Sequence, residues 1–333
     1  MMIKSLDLFA GVGGLRLGLE KTLKKLGLEH KCVLYSEINK DCQKTYEKNF
    51  DSTKLIEDIK SVKDVSLQIP NHDILLAGFP CQPFSQAGVS VRKSLNRKHG
   101  FSDKKQGDLF FNILEVLNTK KPKMFLLENV QNLLSHNKGR TINKIVTLLR
   151  KNYYVPEPKV LDARDFGLAQ RRRRVFIVGF LDKSIKNFYY PIPIKKDLKV
   201  KDFLDAKVDS SFTISDKLWK GHLKRKKRNK TNGKGFGFKL TYPSDKSTNT
   251  ISSRYYKDGG ECLIYQGLNL NPRKLTPREC FRLQGFPENF KLSSSKVEAY
   301  KQAGNSVPIK IVEKICFEII KTNFIHKKLK KTA

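Results

Sequence analysis

The residue in this chain best placed to act as a nucleophile is Cys81, in Gly78-Phe79-Pro80-Cys81-Gln82-Pro83-Phe84-Ser85. It follows the apolar run Ile74–Ala77, which reads as a buried strand, and it stands directly after a proline that stiffens the turn. A thiol at the carboxyl end of a parallel strand faces the crevice where α/β folds take their ligands. A free thiol titrates near 8.5, so such a cysteine needs a neighbouring cation or helix end to form thiolate. The competing reading, a packed core cysteine, is the ordinary one for an isolated Cys.

Three other groups have matching chemistry. Glu128, in Leu127-Glu128-Asn129-Val130, ends another apolar run and so points to the same end of the sheet, where a helix N-cap is its bland alternative. Gln170-Arg171-Arg172-Arg173-Arg174 opens the run Val175–Phe180; arginine directly before a buried strand suits anion or carbonyl recognition better than a solvated turn. Asp7-Leu8-Phe9-Ala10-Gly11-Val12-Gly13-Gly14 lies where a first strand meets a first helix, so its glycines let backbone N–H groups approach a ligand. The spacing is not GxGxxG, which argues against a nicotinamide oxidoreductase. Glu37 follows a second strand, where an acid grips ribose hydroxyls, and Asp58-Ile59 ends a third and reads an adenine edge. Singly these acids are surface residues; with the glycine loop they describe a nucleoside pocket.

The elements that must position these groups are legible up to residue 180. Ile3–Phe9, Val33–Tyr35, Ile74–Ala77, Met124–Leu127 and Val175–Phe180 read as buried strands. Gly14–Leu26, Asp108–Leu117 and Lys138–Leu149 carry helical spacing, with Ile142, Ile145, Val146 and Leu149 on one face. The fold class is therefore α/β: a largely parallel, Rossmann-like sheet with helices on both sides. Near Pro191 the texture changes to basic runs, glycines and short β-prone pieces such as Thr250–Ser252, which predicts a smaller, irregular, mostly-β domain. Helical spacing returns at Ile309, Val312, Ile315 and Ile319, and the lysine-rich tail from His326 is expected to fray. The predicted division is 1–190 with 300–333 as one domain, 191–285 as a second and 286–299 as hinge.

Bulk composition agrees. The 333 residues are 39% hydrophobic and 29% charged, a globular balance, with no secretory signal or membrane-length apolar run, so a cytoplasmic place is expected. Lys and Arg total 66 against 32 acids, a formal charge of +34 that draws polyanions. Between Lys217 and Ser244 stand ten Lys or Arg and no acid. The centre of that run, Lys224-Arg225-Lys226-Lys227-Arg228, is read as a phosphate-contacting loop, with a solvated loop as its alternative. The six cysteines are scattered without a CxxC pair, so neither a metal site nor a disulfide framework is expected.

In order and spacing these blocks resemble the DNA cytosine-5 methyltransferases over nearly the whole length. The match continues through Gln170, Arg172 and Arg174, then Arg273-Lys274-Leu275-Thr276-Pro277-Arg278-Glu279-Cys280, and ends with Gln302-Ala303-Gly304-Asn305-Ser306-Val307-Pro308. The resemblance implies methyl transfer from S-adenosylmethionine to C5 of a cytosine flipped out of duplex DNA. Cys81 would attack C6, Glu128 would hold or protonate N3, Arg174 would bond O2, and Arg172 would brace the catalytic site. Phe9, Gly11 and Gly13 would line the cofactor pocket with Glu37 on ribose, while Ile38, Asp58, Ile59, Pro80 and Leu109 would surround the adenine. Asn305 and Ser306 would bind near the methionine part. The resemblance makes 1–190 with 300–333 the catalytic and cofactor-binding domain and 191–285 the target-recognition domain. Gln82 and Ser85, on a loop running to Gln106, would face the DNA, as would Lys224–Arg228 and Thr250 in the target-recognition domain. The same likeness implies a bacterial restriction–modification system, with a cognate restriction endonuclease acting separately; flipping and methylation need only one copy, so a monomer is expected. Its alternatives are a tRNA cytosine-5 methyltransferase and a catalytically silent DNA-binding relative. The tRNA branch carries a Cys-Phe-Thr tripeptide, and here Cys280-Phe281 is followed by Arg282.

Overall fold

A computed structural model describes residues 2–51, 53–80, 108–194, 196–233, 235 and 237–332. Cys81, expected as the nucleophile, and Gln82, Ser85 and the remainder of the expected loop to Gln106 lie outside the described residues. The chain divides into two compact units, residues 1–161, 173–192 and 311–333 in one and residues 162–172 and 193–310 in the other. Against the predicted boundaries, 162–172 and 300–310 fall in the second unit.

The first unit is built on a seven-stranded sheet among the described residues. Its strands are β1 (Met2–Leu8), β2 (Glu29–Ser36), β3 (Lys54–Ile56), β4 (Ile74–Gly78), β5 (Met124–Val130), β6 (Lys159–Asp162) and β7 (Arg173–Phe180). They lie in the order β3-β2-β1-β4-β5-β7-β6. β1, β2, β3, β4 and β5 pair in parallel, while β7 runs antiparallel to β5. The chain leaves β1 toward β2 on one side and returns as β4 on the other, so the switch point of the winding lies between β1 and β4.

Strands buried on both faces read as continuous apolar runs, which is why β4 and β5 are legible without alternation. One face of the sheet packs on helices α4 (Asp108–Lys120) and α5 (Arg140–Arg150). Phe110, Ile113 and Leu117 meet the predicted stripe Ile142, Ile145, Val146 and Leu149 in a single apolar cluster. Elsewhere in the unit α1 (Gly14–Lys25) packs against α9 (Ile309–Thr332), which continues through the tail expected to fray. Gly18 permits that contact, since a Cβ there would fall 2.4 Å from Val312 Cγ1. The helices α2 (Lys40–Glu47) and α3 (Val65–Gln68) complete the unit.

The second unit is irregular, but helix carries more of it than strand. Its sheet consists of β8 (Leu240–Thr241), β9 (Leu263–Ile264) and β10 (Arg273–Lys274), two residues each. The basic run is not a loop: it lies on α6 (Asp216–Thr231), capped by the Ser215 hydroxyl on the Leu218 amide. Lysine and arginine have good helix propensity, and one cap suffices to start them. Thr250–Ser252 forms no strand. The segment is laid along residues 169–172, with Thr248 N donating to Ala169 O and Ile251 N to Gln170 Oε1. The Arg273–Cys280 block is a structural clamp leading into α7 (Pro277–Leu283). Thr276 and Glu279 form a reciprocal capping box, and Arg273 grips the fully buried Glu279 through two 2.8 Å bonds. The helix α8 (Lys296–Asn305) follows.

Candidate active site

The loops that should carry chemistry leave the carboxyl ends of β1, β2, β4 and β5. Because β7 is reversed, its first residues join them there, with Arg174 opposite Val130 and Phe176 opposite Glu128. Glu128 and Arg174 are thus diagonal neighbours on one face of an antiparallel pair. Arg174 Nε lies 3.0 Å from Glu128 Oε1, with side chains only 14% and 10% exposed. On the other side of Glu128 stands Gly78, where a Cβ would come within 3.6 Å of Glu128 Oε2. The next residues, Phe79 and Pro80, lead to Cys81. Their turn is pinned by Asn129, whose Nδ2 donates to the carbonyl of the buried Phe79 at 3.2 Å. In sequence Asn129 stands out only as part of a motif.

The four arginines divide by position. Arg172 is 1% exposed and belongs to the second unit. Its Nη1 donates to Ile251 O at 3.0 Å and its Nη2 to Gly304 O at 2.8 Å and to Ser306 O. These contacts make it a brace tying 251 to the end of α8. Gly304 belongs to the same joint, since a Cβ would strike the Ser252 backbone at 2.2 Å. Asn305 is exposed there, and the buried Ser306 hydroxyl has no hydrogen-bond partner among the described residues.

In the first unit the glycine loop is strongly shaped. Phe9, Gly11 and Gly13 all take positive φ, at 55°, 55° and 82°. For phenylalanine this left-handed backbone is strained, and such strain collects at ligand sites. Glu37 fixes the loop: its Oε2 accepts from Gly11 N and its Oε1 from Asn39 N, both at 2.8 Å. The neighbouring Ile38 is 69% exposed, an apolar surface beside a carboxylate. α1 begins at Gly13 without any side-chain cap, so its first N–H groups are left to other acceptors. Ile59 is buried, and Leu109 packs on the core cluster. Asp58 is placed differently from expectation: β3 stops at Ile56, and Asp58 caps a short turn by accepting from Lys60 N at 2.9 Å. A glycine loop, an uncapped helix start, a carboxylate and an exposed aliphatic side chain suit a nucleoside with a charged tail.

Beneath this loop lies a buried polar cluster that no sequence motif announces. Asp7 is fully buried, and that burial pushes its carboxyl up to about 7, against the lowering pull of Arg16 and the Tyr46 hydroxyl. Burial likewise pushes up the thiols of Cys32, Cys262, Cys280 and Cys316, which disfavours them as nucleophiles.

The predicted DNA contacts are sorted by the helix. Lys224, Lys226, Lys227 and Arg228 lie along α6, and all four are exposed. Arg225 instead turns inward, pairing with Asp258 at 2.8 Å and donating to Gly237 O at 3.1 Å. The exposed Lys226 holds its ammonium 4.8 Å from the centroid of the Phe238 ring. The Thr250 hydroxyl donates to Arg171 O.

Fold and site together define an α/β methyltransferase domain of the Rossmann-like kind. The S. pombe Dnmt2 methyltransferase superposes with a TM-score of 0.76, covering 97% of this chain and 100% of that one, at 21% identity. A family model described as C-5 cytosine-specific DNA methylase matches residues 3–321. The type II methyltransferase M.DsaV of Dactylococcopsis salina is 48% identical over 96% of this chain and 86% of its own. The type II methyltransferase M1.ScrFI of Lactococcus lactis subsp. cremoris is 49% identical over 95% and 78%. The chain belongs to the C-5 cytosine-specific DNA methylase family and is a DNA (cytosine-5)-methyltransferase. Among the described residues no helix is long and apolar enough to cross a membrane.

Proposed function

We propose that the chain methylates C5 of a flipped cytosine within one short sequence of duplex DNA, with S-adenosylmethionine as donor and Cys81 as nucleophile. The observation that carries this reading is the Glu128–Arg174 pair at 3.0 Å, set beside the Gly78–Pro80 turn that leads to Cys81. Cytosine C5 is a weak nucleophile. Addition of the Cys81 thiolate at C6 makes C5 electron-rich, and the charge moves onto N3 and O2. Glu128 holds or protonates N3, and Arg174 supports O2. S-adenosylmethionine, when bound, supplies a methyl group activated by its sulfonium. Loss of the C5 proton to a base then expels the thiolate and restores the ring.

The first unit's residues suit the donor. Phe9, Gly11 and Gly13 shape the pocket, Glu37 meets ribose, and Ile38, Asp58, Ile59, Pro80 and Leu109 surround the adenine. Arg172 positions backbone and touches no reacting atom. Residues 191–285 recognise the target, with Gln82, Ser85, Lys224, Lys226, Lys227, Arg228 and Thr250 on DNA. The type II names of the relatives support a modification role beside a separate restriction endonuclease.

Duplex DNA containing 5-fluorocytosine tests the nucleophile, because a C5 fluorine cannot leave as the proton does. A covalent protein–DNA adduct that requires S-adenosylmethionine and maps to Cys81 is expected. Methyl transfer to ordinary cytosine with no adduct on the fluorinated duplex contradicts the covalent step.

A further inference from the structure

Arg16 stands three residues beyond Gly13 on α1 and is only 4% exposed. Its Nε donates to Glu20 at 2.6 Å, and its Nη1 donates to the Tyr46 hydroxyl at 3.2 Å and to Thr53 Oγ1 at 3.1 Å. The guanidinium also lies 4.4 Å from the centroid of the Phe50 ring and 5.4 Å from that of Tyr46. Tyr46 stacks on Tyr35 at 4.1 Å with the rings 8° from parallel, and meets Phe50 at 4.6 Å. Ala10 packs on the two tyrosines. The upper edge of this aromatic column touches the glycine loop itself: a Cβ at Gly13 would fall 2.2 Å from Phe50 Cε2 and 3.0 Å from Tyr46 Cε2.

We propose that Arg16, acting through Phe50 and Tyr46, is a positioning residue that holds the glycine loop in its ligand-binding shape. The inference rests on the reading of this loop as the S-adenosylmethionine site. Packing alone does not call for an arginine here, since an aliphatic residue fills such space without the cost of desolvating a charge. What the guanidinium adds is direction. Its planar face sits on one ring while its edge bonds Glu20, Tyr46 and Thr53, so Phe50 has one place to lie. Gly13 is then seated on a fixed surface, and the left-handed residues from Phe9 to Gly13 keep a conformation they would otherwise leave. Affinity is gained because the loop is ordered before the ligand arrives.

The test measures binding of S-adenosylhomocysteine by calorimetry, together with KM and kcat for methyl transfer. Arg16→Met removes the charge, and Phe50→Leu removes the ring without touching the arginine. Leu117→Ala, in the core of α4, serves as a control destabilised by an unrelated cavity. Arg16→Met and Phe50→Leu are expected to weaken S-adenosylhomocysteine and raise KM for S-adenosylmethionine about tenfold or more, with kcat within about twofold of the parent. Leu117→Ala should keep the parent affinity. Parent-like affinity in both loop variants, or an equal loss in Leu117→Ala, overturns the proposal. A parent chain that transfers no methyl from S-adenosylmethionine overturns the donor reading instead. The positioning claim is then decided by hydrogen exchange in the ligand-free chain, at the Gly11 and Gly13 amides that donate to Glu37 and Ala10. Faster exchange confined to that loop in either variant supports it, and unchanged exchange overturns it.

Discussion

Glu128 and Arg174 come together because β7 runs against β5: far apart in sequence, they are diagonal neighbours with Nε and Oε1 3.0 Å apart. The carboxylate and the guanidinium hold each other in a largely enclosed place, so each is fixed in direction. Arg174→Ala is expected to lower kcat by about 10²–10³, the usual cost of removing one group that stabilises developing charge. S-adenosylhomocysteine affinity should stay unchanged. Single-turnover methylation with calorimetry on the same samples checks both, and a kcat within about threefold of the parent would remove Arg174 from the chemistry.

Arg172 should respond differently. Its guanidinium bonds three backbone carbonyls of its own unit. Arg172→Met leaves those carbonyls without donors and should cost about 3 kcal/mol or more in stability. The fraction that stays folded should keep a kcat near the parent value. Thermal melting beside active-site titration separates the two effects. A folded variant with kcat down about a hundredfold would make Arg172 a participant in the reaction.

Asp7 gives the chain a pH dependence of defined sign. Its carboxyl is raised from 3.8 to about 7 by burial, so the folded state holds a proton that the unfolded state releases. Stability from this group is fully present below about pH 4 and is lost as pH rises to about 7. The ceiling of the effect is about 4 kcal/mol. Asp7→Asn should therefore stabilise relative to the parent more at about pH 8 than at about pH 5, read from melting temperatures at both. A difference independent of pH would contradict the buried neutral carboxyl.

Two faces of α6 should separate in salt titrations of DNA binding. Lys224→Gln and Lys227→Gln should each reduce the slope of log K against log salt by about 0.9, as expected when one phosphate is no longer neutralised. Arg225→Gln should instead loosen the Asp258 turn, lowering melting temperature with little change in slope. Equal slope changes for all three would place Arg225 on the DNA.

Much of the first unit is legible in the sequence because its central strands are buried on both faces, leaving unbroken apolar runs such as Ile74–Ala77 and Met124–Leu127. The short strands β3 and β6 offer too few residues for a pattern. The reversal of β7 is invisible in its own residues, since only pairing with β5 decides its direction. Arg225 groups with its basic neighbours in sequence, because inward and outward positions on a helix depend on what packs there, and a run of basic residues reads as a loop. Arg16, Tyr46 and Phe50 carry no sequence signal for a related reason: no local motif links an arginine on α1 to a ring column on and beyond α2.

The most direct test of the proposed activity incubates the purified chain with methyl-labelled S-adenosylmethionine and, separately, duplex DNA or tRNA, then locates the labelled base. Label as 5-methylcytosine in DNA, at one short sequence and absent in Cys81→Ser, is the expected result. Label confined to tRNA, or full transfer by Cys81→Ser, would contradict it.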